Sequence, residues 1–146
     1  MDLSNIIQQD TIKILIRKSH EAKANAFCKY SHFRVGAALL CDDGTIYTGC
    51  NVENAAYCSI CAEMTAIAKA VSEGHTKFKA IAIASDLENE IIAPCGPCRQ
   101  FLIEFGTDWV VIMTKPDMTY KQMTTGELLP LCFAEESLNG MKNGTT

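Results

Sequence analysis

Two cysteine pairs, Cys58-x2-Cys61 and Cys95-x2-Cys98, constrain this chain more than any other feature. Thiols at that spacing mark a tetrahedral metal site, so any fold must bring two segments distant in sequence to one point. The chain carries eight cysteines, and its start, MDLSNIIQQD, lacks the basic-then-apolar pattern of a secretory signal. That combination points to a reducing cytoplasm, where clustered thiols bind metal more often than they form disulfides. The longest apolar runs, such as VGAALLC, are far too short to span a bilayer, so no membrane partner is expected.

The pattern of elements narrows the fold. SNIIQQDTIKILIRKSHEAKANAF places Ile7, Thr11, Ile14, Leu15 and Ala22 on one stripe at helical spacing, with Ser4 or Asn5 as the cap. FRVGAALLC and TIYTGCNVE flank DDG, a hairpin signal. CAEMTAIAKAVSEG reads as a helix that buries Ala62, Ala66, Ala70 and Val71 and stops at Gly74. KFKAIAIASD is a strand, GPCRQFLIEFG a helix with Pro97 in its first turn and Gly106 beyond its end, DWVVIMT a strand and TYKQM a short edge strand. TGELLP is a brief helical turn, and the polar tail after Phe133 is expected to order only against a partner. Strands alternating with helices predict a three-layer α/β/α sandwich around a mixed five-stranded sheet. The length of 146 residues suits one domain, residues 1–146, with a flexible tail from about residue 137.

Chemistry concentrates at the cysteines. Cys95 and Cys98 stand at i and i+3 on the first turn of a predicted helix, and Cys61 begins another. Helix N-termini carry partial positive charge and favour thiolate over thiol, which makes these three the metal ligands. The remaining question is Cys58. As a fourth ligand it would close the site and leave Glu63 a surface acid. Without it the site keeps an open position. The run Cys-Ala-Glu … Pro-Cys-x-x-Cys matches the three-cysteine form of the zinc nucleobase deaminases, in which the glutamate is not a ligand. On a helix, i and i+2 do not share a face, so Glu63 is expected to point away from the Cys61–metal bond. Cys28, Cys41, Cys50 and Cys132 lie in apolar or turn contexts without partners and read as packing.

Across nearly its whole length the chain resembles the small, homotetrameric, three-cysteine cytidine deaminases. YSHFRVGAALL, GCNVENAAY, CAEMTAI, AIAIASD, PCGPCRQ and ELLPLCF occur in that family's order. The resemblance implies hydrolytic deamination of cytidine and deoxycytidine, with one Zn2+ per subunit held by Cys61, Cys95 and Cys98 and with Glu63 as proton shuttle. It implies that Asn51 and Glu53 bind the ribose 3′ hydroxyl, that Phe33 stacks on the pyrimidine, and that backbone near Ala55 and Ala62 reads its polar edge. It further implies that Phe133 enters a neighbouring subunit's site and that Tyr57 lies at a subunit boundary. Three departures stand out. The loop AAYCSI is one residue shorter than the family's, Arg34 replaces a common proline, and Met64 stands where the family has an arginine directed at zinc-bound sulfur. Arg99 could supply the positive charge that Met64 does not.

Charge separates the substrate classes. The chain has a formal net charge of −4, 48% apolar and 21% charged residues, and its one basic cluster, KILIRKSHEAK, is spaced like a solvated helix face. No nucleic-acid partner is therefore expected, and a free nucleoside is favoured over a cytosine in a polynucleotide or over a nucleotide. Two readings remain beside it, a zinc-stapled structural module and a drug-inactivating nucleoside deaminase of the blasticidin kind.

Overall fold

The computed structural model describes residues 6–142. Helix α1 (Gln9–Lys23) leads into a hairpin of β1 (Val35–Cys41) and β2 (Ile46–Cys50). Then follow α2 (Ala62–Ser72), β3 (Phe78–Ser85), α3 (Gly96–Ile103), β4 (Val110–Thr114), β5 (Tyr120–Thr124), α4 (Thr125–Leu128) and α5 (Glu135–Lys142). The strands form one sheet in the order β2-β1-β3-β4-β5. Only β3 and β4 pair in parallel; every other neighbouring pair is antiparallel, so the sheet is mixed as expected.

The side-chain alternation of a strand divides the core into two layers. Ala37, Leu39, Ile81, Ile83, Val111 and Met113 face one way and pack with Ala66, Ile67 and Leu102 of α2 and α3. Their alternates Ala38, Leu40, Ala80, Ala82, Val110 and Ile112 face the other way and pack with Ile12, Leu15 and Ile16 of α1. The three central strands are buried on both faces, which is why they read as near-continuous apolar runs. Burying both faces needs helices on each side, and that requirement gives the three layers. Strand β5 lies at the edge, as TYKQM suggested.

Two helix stripes differ from expectation. Ile7 is buried but lies before α1, so a stripe counted from it is out of phase. The face that packs is Ile12, Leu15, Ile16, Ser19 and Ala22, while Ile14 is exposed. On α2 the buried side is Ala62, Glu63, Ala66, Ile67 and Ala70, and Val71 turns outward. The helix starts with Cys61 as N-cap, which sets this phase. The expected caps Ser4 and Asn5 lie outside the described residues; Gln8 occupies the N-cap of α1. The polar segment after Phe133 forms α5, and its side chains from Glu135 to Met141 are all exposed.

Small residues let α2 lie close on the sheet. A Cβ on Gly49 of β2 would stand 2.5 Å from the carbonyl oxygen of Ala62 and 2.6 Å from the amide nitrogen of Ala66. Gly49→Ala must therefore push the first turn of α2 outward. The expected cost is ~1–3 kcal/mol, the usual range for overpacking. Urea unfolding should show it as an earlier midpoint with unchanged slope.

Candidate active site

Strand direction explains how the cysteines meet. Both β2 and β3 pair antiparallel to β1, so the two run in the same direction. Helices α2 and α3 follow them on the same face, and their N-termini emerge at one end of the sheet. Cys61 is the N-cap of α2, Cys95 the N-cap of α3, and Cys98 lies one turn along α3. The three sulfurs lie within 4.8 Å of one another, with Cys61 Sγ 3.8 Å from Cys95 Sγ. Zn–S bonds of about 2.3 Å at tetrahedral angles give an S···S edge of about 3.8 Å. A disulfide would require about 2.0 Å. All eight cysteines are free.

The donors also need a cation. Burial pushes the Cys61 thiol up to about 11 and drives that of Cys98 higher still. Three crowded thiols become thiolates when a divalent ion takes the place of their protons. Cys58 is exposed and stands outside the group. Its backbone N–H donates to Asn54 Oδ1 and its carbonyl accepts from Asn54 Nδ2, which holds it in the loop. The structure therefore gathers three sulfur donors, with Cys58 outside the group.

Glu63 is 4% exposed and opens with Cys61 and Cys95 onto a cavity of about 620 Å³. Burial raises its pKa, while its own backbone N–H and the Cys98 thiol pull it back. The helical i, i+2 rule does not fix its direction relative to Cys61. Cys61 has extended backbone (φ −71°, ψ 155°), so the rule does not apply to it, and both side chains reach the same cavity. Asp and Glu are almost never fully buried unless paired. A glutamate buried at the mouth of a thiol cluster is thus a costly placement.

Phe33, Asn51, Glu53 and Ala62 also line the cavity. The amide of Asn51 is partly committed: Nδ2 donates to the Phe33 carbonyl at 2.8 Å, and Oδ1 accepts from the Val35 N–H at 2.9 Å. It fixes the chain carrying Phe33 and keeps one N–H to spare. Glu53 Oε1 accepts from the backbone N–H groups of Tyr30 and Ser31, both at 3.1 Å. Hydrogen bonds from Ser31 and Tyr30 hold its carboxyl below the usual range. Ala55, Tyr57 and Phe133 are exposed and lie outside this cavity within the single chain.

The far wall of the cavity was missed from sequence. Leu87, Glu90, Ile91 and Ile92 form it, on the loop between β3 and α3, which has neither helical nor strand period. Arg34 ties the two walls. Its Nε donates to Asp86 Oδ2 at 2.8 Å and its Nη2 to Oδ1 at 3.0 Å, while Lys23 Nζ lies 2.8 Å from Oδ1. Arg99 donates to the carbonyl oxygens of Pro94 and Leu128, so its hydrogen bonds serve the backbone around α3. Met64 is half-buried beside Glu63.

A family model described as the cytidine and deoxycytidylate deaminase zinc-binding region matches residues 9–114. The chain belongs to this family, and its three-cysteine group is positioned to hold a metal ion. Full-length relatives narrow the class. A probable cytidine deaminase of Dictyostelium discoideum is 49% identical over 133 residues, covering 90% of each chain. The cytidine deaminase of Sporosarcina psychrophila is 45% identical over 130 residues, 88% of this chain and 95% of its own. The crystal structure of cytidine deaminase from Burkholderia pseudomallei superposes with a TM-score of 0.80 at 39% identity, covering 87% of this chain and all of that one.

Metal analysis checks the ligand set. Cys61→Ser, Cys95→Ala and Cys98→Ala should each lower zinc content sharply, whereas Cys58→Ser should stay at about one ion per chain. Equal loss in the Cys58 variant would show a closed site.

Proposed function

We propose that this protein deaminates cytidine and deoxycytidine by hydrolysis, giving uridine or deoxyuridine and ammonia in pyrimidine salvage. The observation that carries the reading is the burial of Glu63 beside a three-thiol group, in a cavity that fits a nucleoside. Zinc held by Cys61, Cys95 and Cys98 would supply Lewis acidity that brings the pKa of water close to neutral. Glu63 accepts the proton of that water as its oxygen bonds to C4 and passes it to the ring N3. It then takes up the remaining proton of the C4 hydroxyl and delivers it to the exocyclic nitrogen as the C4–N bond breaks, leaving the C4 carbonyl and ammonia. One carboxylate thus serves as base and then as acid.

The other cavity residues orient the substrate. Phe33 offers a ring face to the pyrimidine, and backbone at Ala62 its polar edge. The spare N–H of Asn51 and the carboxylate of Glu53 hold a sugar hydroxyl, which disfavours a free base because buried polar groups left unpaired are costly. Glu53, Glu63 and Glu90 line the cavity and, among the described residues, no lysine or arginine does. Like charges placed together cost several kcal/mol, so a 5′-phosphate is rejected. The eight free cysteines fit a cytoplasmic protein, and no helix among the described residues is long and apolar enough to cross a membrane.

The unit of function in this reading is a homotetramer with sites shared between subunits. Tyr57 is 92% exposed and Phe133 60% exposed, an arrangement that suits aromatic side chains reaching across a subunit boundary. They supply the backbone-reading segment near Ala55 with its cover.

Purified protein should convert cytidine with kcat/KM at least on the order of 100-fold above that for deoxycytidylate. Glu63→Ala should lose about 10²–10⁴-fold in turnover, the usual weight of a general acid–base group, while keeping its zinc. Comparable turnover of deoxycytidylate would move the substrate to the nucleotide. Phe133→Ala should raise KM for cytidine by about fivefold, equivalent to the roughly 1 kcal/mol of one aromatic contact. Light scattering showing a fully active monomer would remove the shared-site reading.

A further inference from the structure

At the opposite end of α2 from Cys61 lies a second group of metal-binding side chains. Cys41 Sγ, one carboxylate oxygen of Asp43 and one imidazole nitrogen of His75 all lie within 4.8 Å of one another. Two segments distant in sequence supply them: the end of β1 with the β1–β2 turn, which carries Cys41 and Asp43, and the residue following Gly74 after α2. At 1.5 Å per residue the 11 residues of α2 span about 16 Å, so this group is separate from the site at the helix N-terminus.

Each donor is held toward the others. The register of β1 against β3 shifts between Leu40 and Cys41, re-aiming the last residue of the strand. Asp43 Oδ1 accepts the Thr45 N–H at 3.0 Å, leaving Oδ2 to face His75 Nδ1. That separation is 3.6 Å, too long for a hydrogen bond. It is close to the edge of about 3.4 Å that Zn–N and Zn–O bonds subtend at tetrahedral angles. The His75 N–H donates to the Ala70 carbonyl, and its ring packs on Tyr47 at 5.4 Å between centroids. Imidazole orientation is thus fixed by packing, and carboxylate orientation by the turn. A groove lined by Asp42, Asp43, Gly74, His75, Thr76 and Lys77 opens the position to solvent.

We infer that Cys41, Asp43 and His75 form a second divalent-metal site, selective for zinc-like ions, which staples the β1–β2 turn to the end of α2. Sulfur, nitrogen and oxygen donors together suit Zn2+ and disfavour Mg2+ or Ca2+. One thiolate and one carboxylate balance the charge of the ion, with water in the fourth position. The Cys41 thiol is buried and its pKa is pushed up to about 11, so binding releases its proton and weakens as pH falls.

Zinc titration of the protein that already carries its catalytic ion tests this, with bound metal counted after equilibrium dialysis. Wild type should take up a second equivalent and gain thermal stability as it does. His75→Gln and Asp43→Asn, the latter keeping the acceptor for Thr45, should bind that equivalent at least about 10–100-fold more weakly. Both should retain the first equivalent and wild-type cytidine turnover, so that failure here is distinct from failure at the three-sulfur site. With cobalt(II) added to the zinc-loaded protein, the second site should show a thiolate charge-transfer band that Cys41→Ser lacks. Wild type stopping at one equivalent would overturn the assignment, as would a second equivalent unchanged in both variants.

Discussion

The common direction of β2 and β3 is the constraint from which the site follows. Strands that run the same way on either side of β1 deliver their succeeding helices to the same end of the sheet. Two helix N-termini with unpaired N–H groups then stand side by side, and each carries a cysteine at its cap. The thiols are brought together by topology, and metal binding needs no further rearrangement of the backbone. The same geometry faces the cavity with the end of the helices that best tolerates negative charge.

Close packing turns this placement into a rigid one. Ala62, Ala66 and Ala70 present almost no side chain to the sheet, and Gly49 presents none, so α2 is seated at the limit of backbone approach. Glu63 belongs to the buried face of that helix and inherits its fixed position. A long, flexible acid would otherwise sweep a large volume. Here the cost of desolvating it is met by a helix that cannot move away, which is the condition for a proton carrier to stay within reach of the reacting atoms.

Much of this could be read from the residues. The apolar strand runs VGAALLC and AIAIAS, the turn DDG and the helix stops at Gly74 and Gly106 all hold, because each reflects a local rule. The clustering of Cys61, Cys95 and Cys98 and the nearness of Glu63 were legible because metal spacing is a short-range pattern. What escaped the sequence depends on phase or on distance. Ile7 led the α1 stripe astray because it is buried from outside the helix. The wall at 87–93 has no period at all, and the partner of Arg34 lies 52 residues away. Cys41, assigned to simple packing, gains its company only when the end of α2 is folded back beside the β1–β2 turn.

The Asp86 cluster makes its three members unequal under substitution. Asp86 serves two cations that come from different elements, Lys23 at the end of α1 and Arg34 before β1. Lys23 has only a tenth of its side chain exposed and reaches one further acceptor, the Ser85 carbonyl at 3.2 Å. Arg34 is open to water and can be re-solvated if its partner disappears. Drift at position 34 should therefore be cheap, whereas drift at 86 would strand a nearly buried ammonium. The carboxylate is the half that cannot be given up, whereas its exposed cation can be exchanged, so the mouth of the cavity can change its residue at 34 without loosening the end of α1.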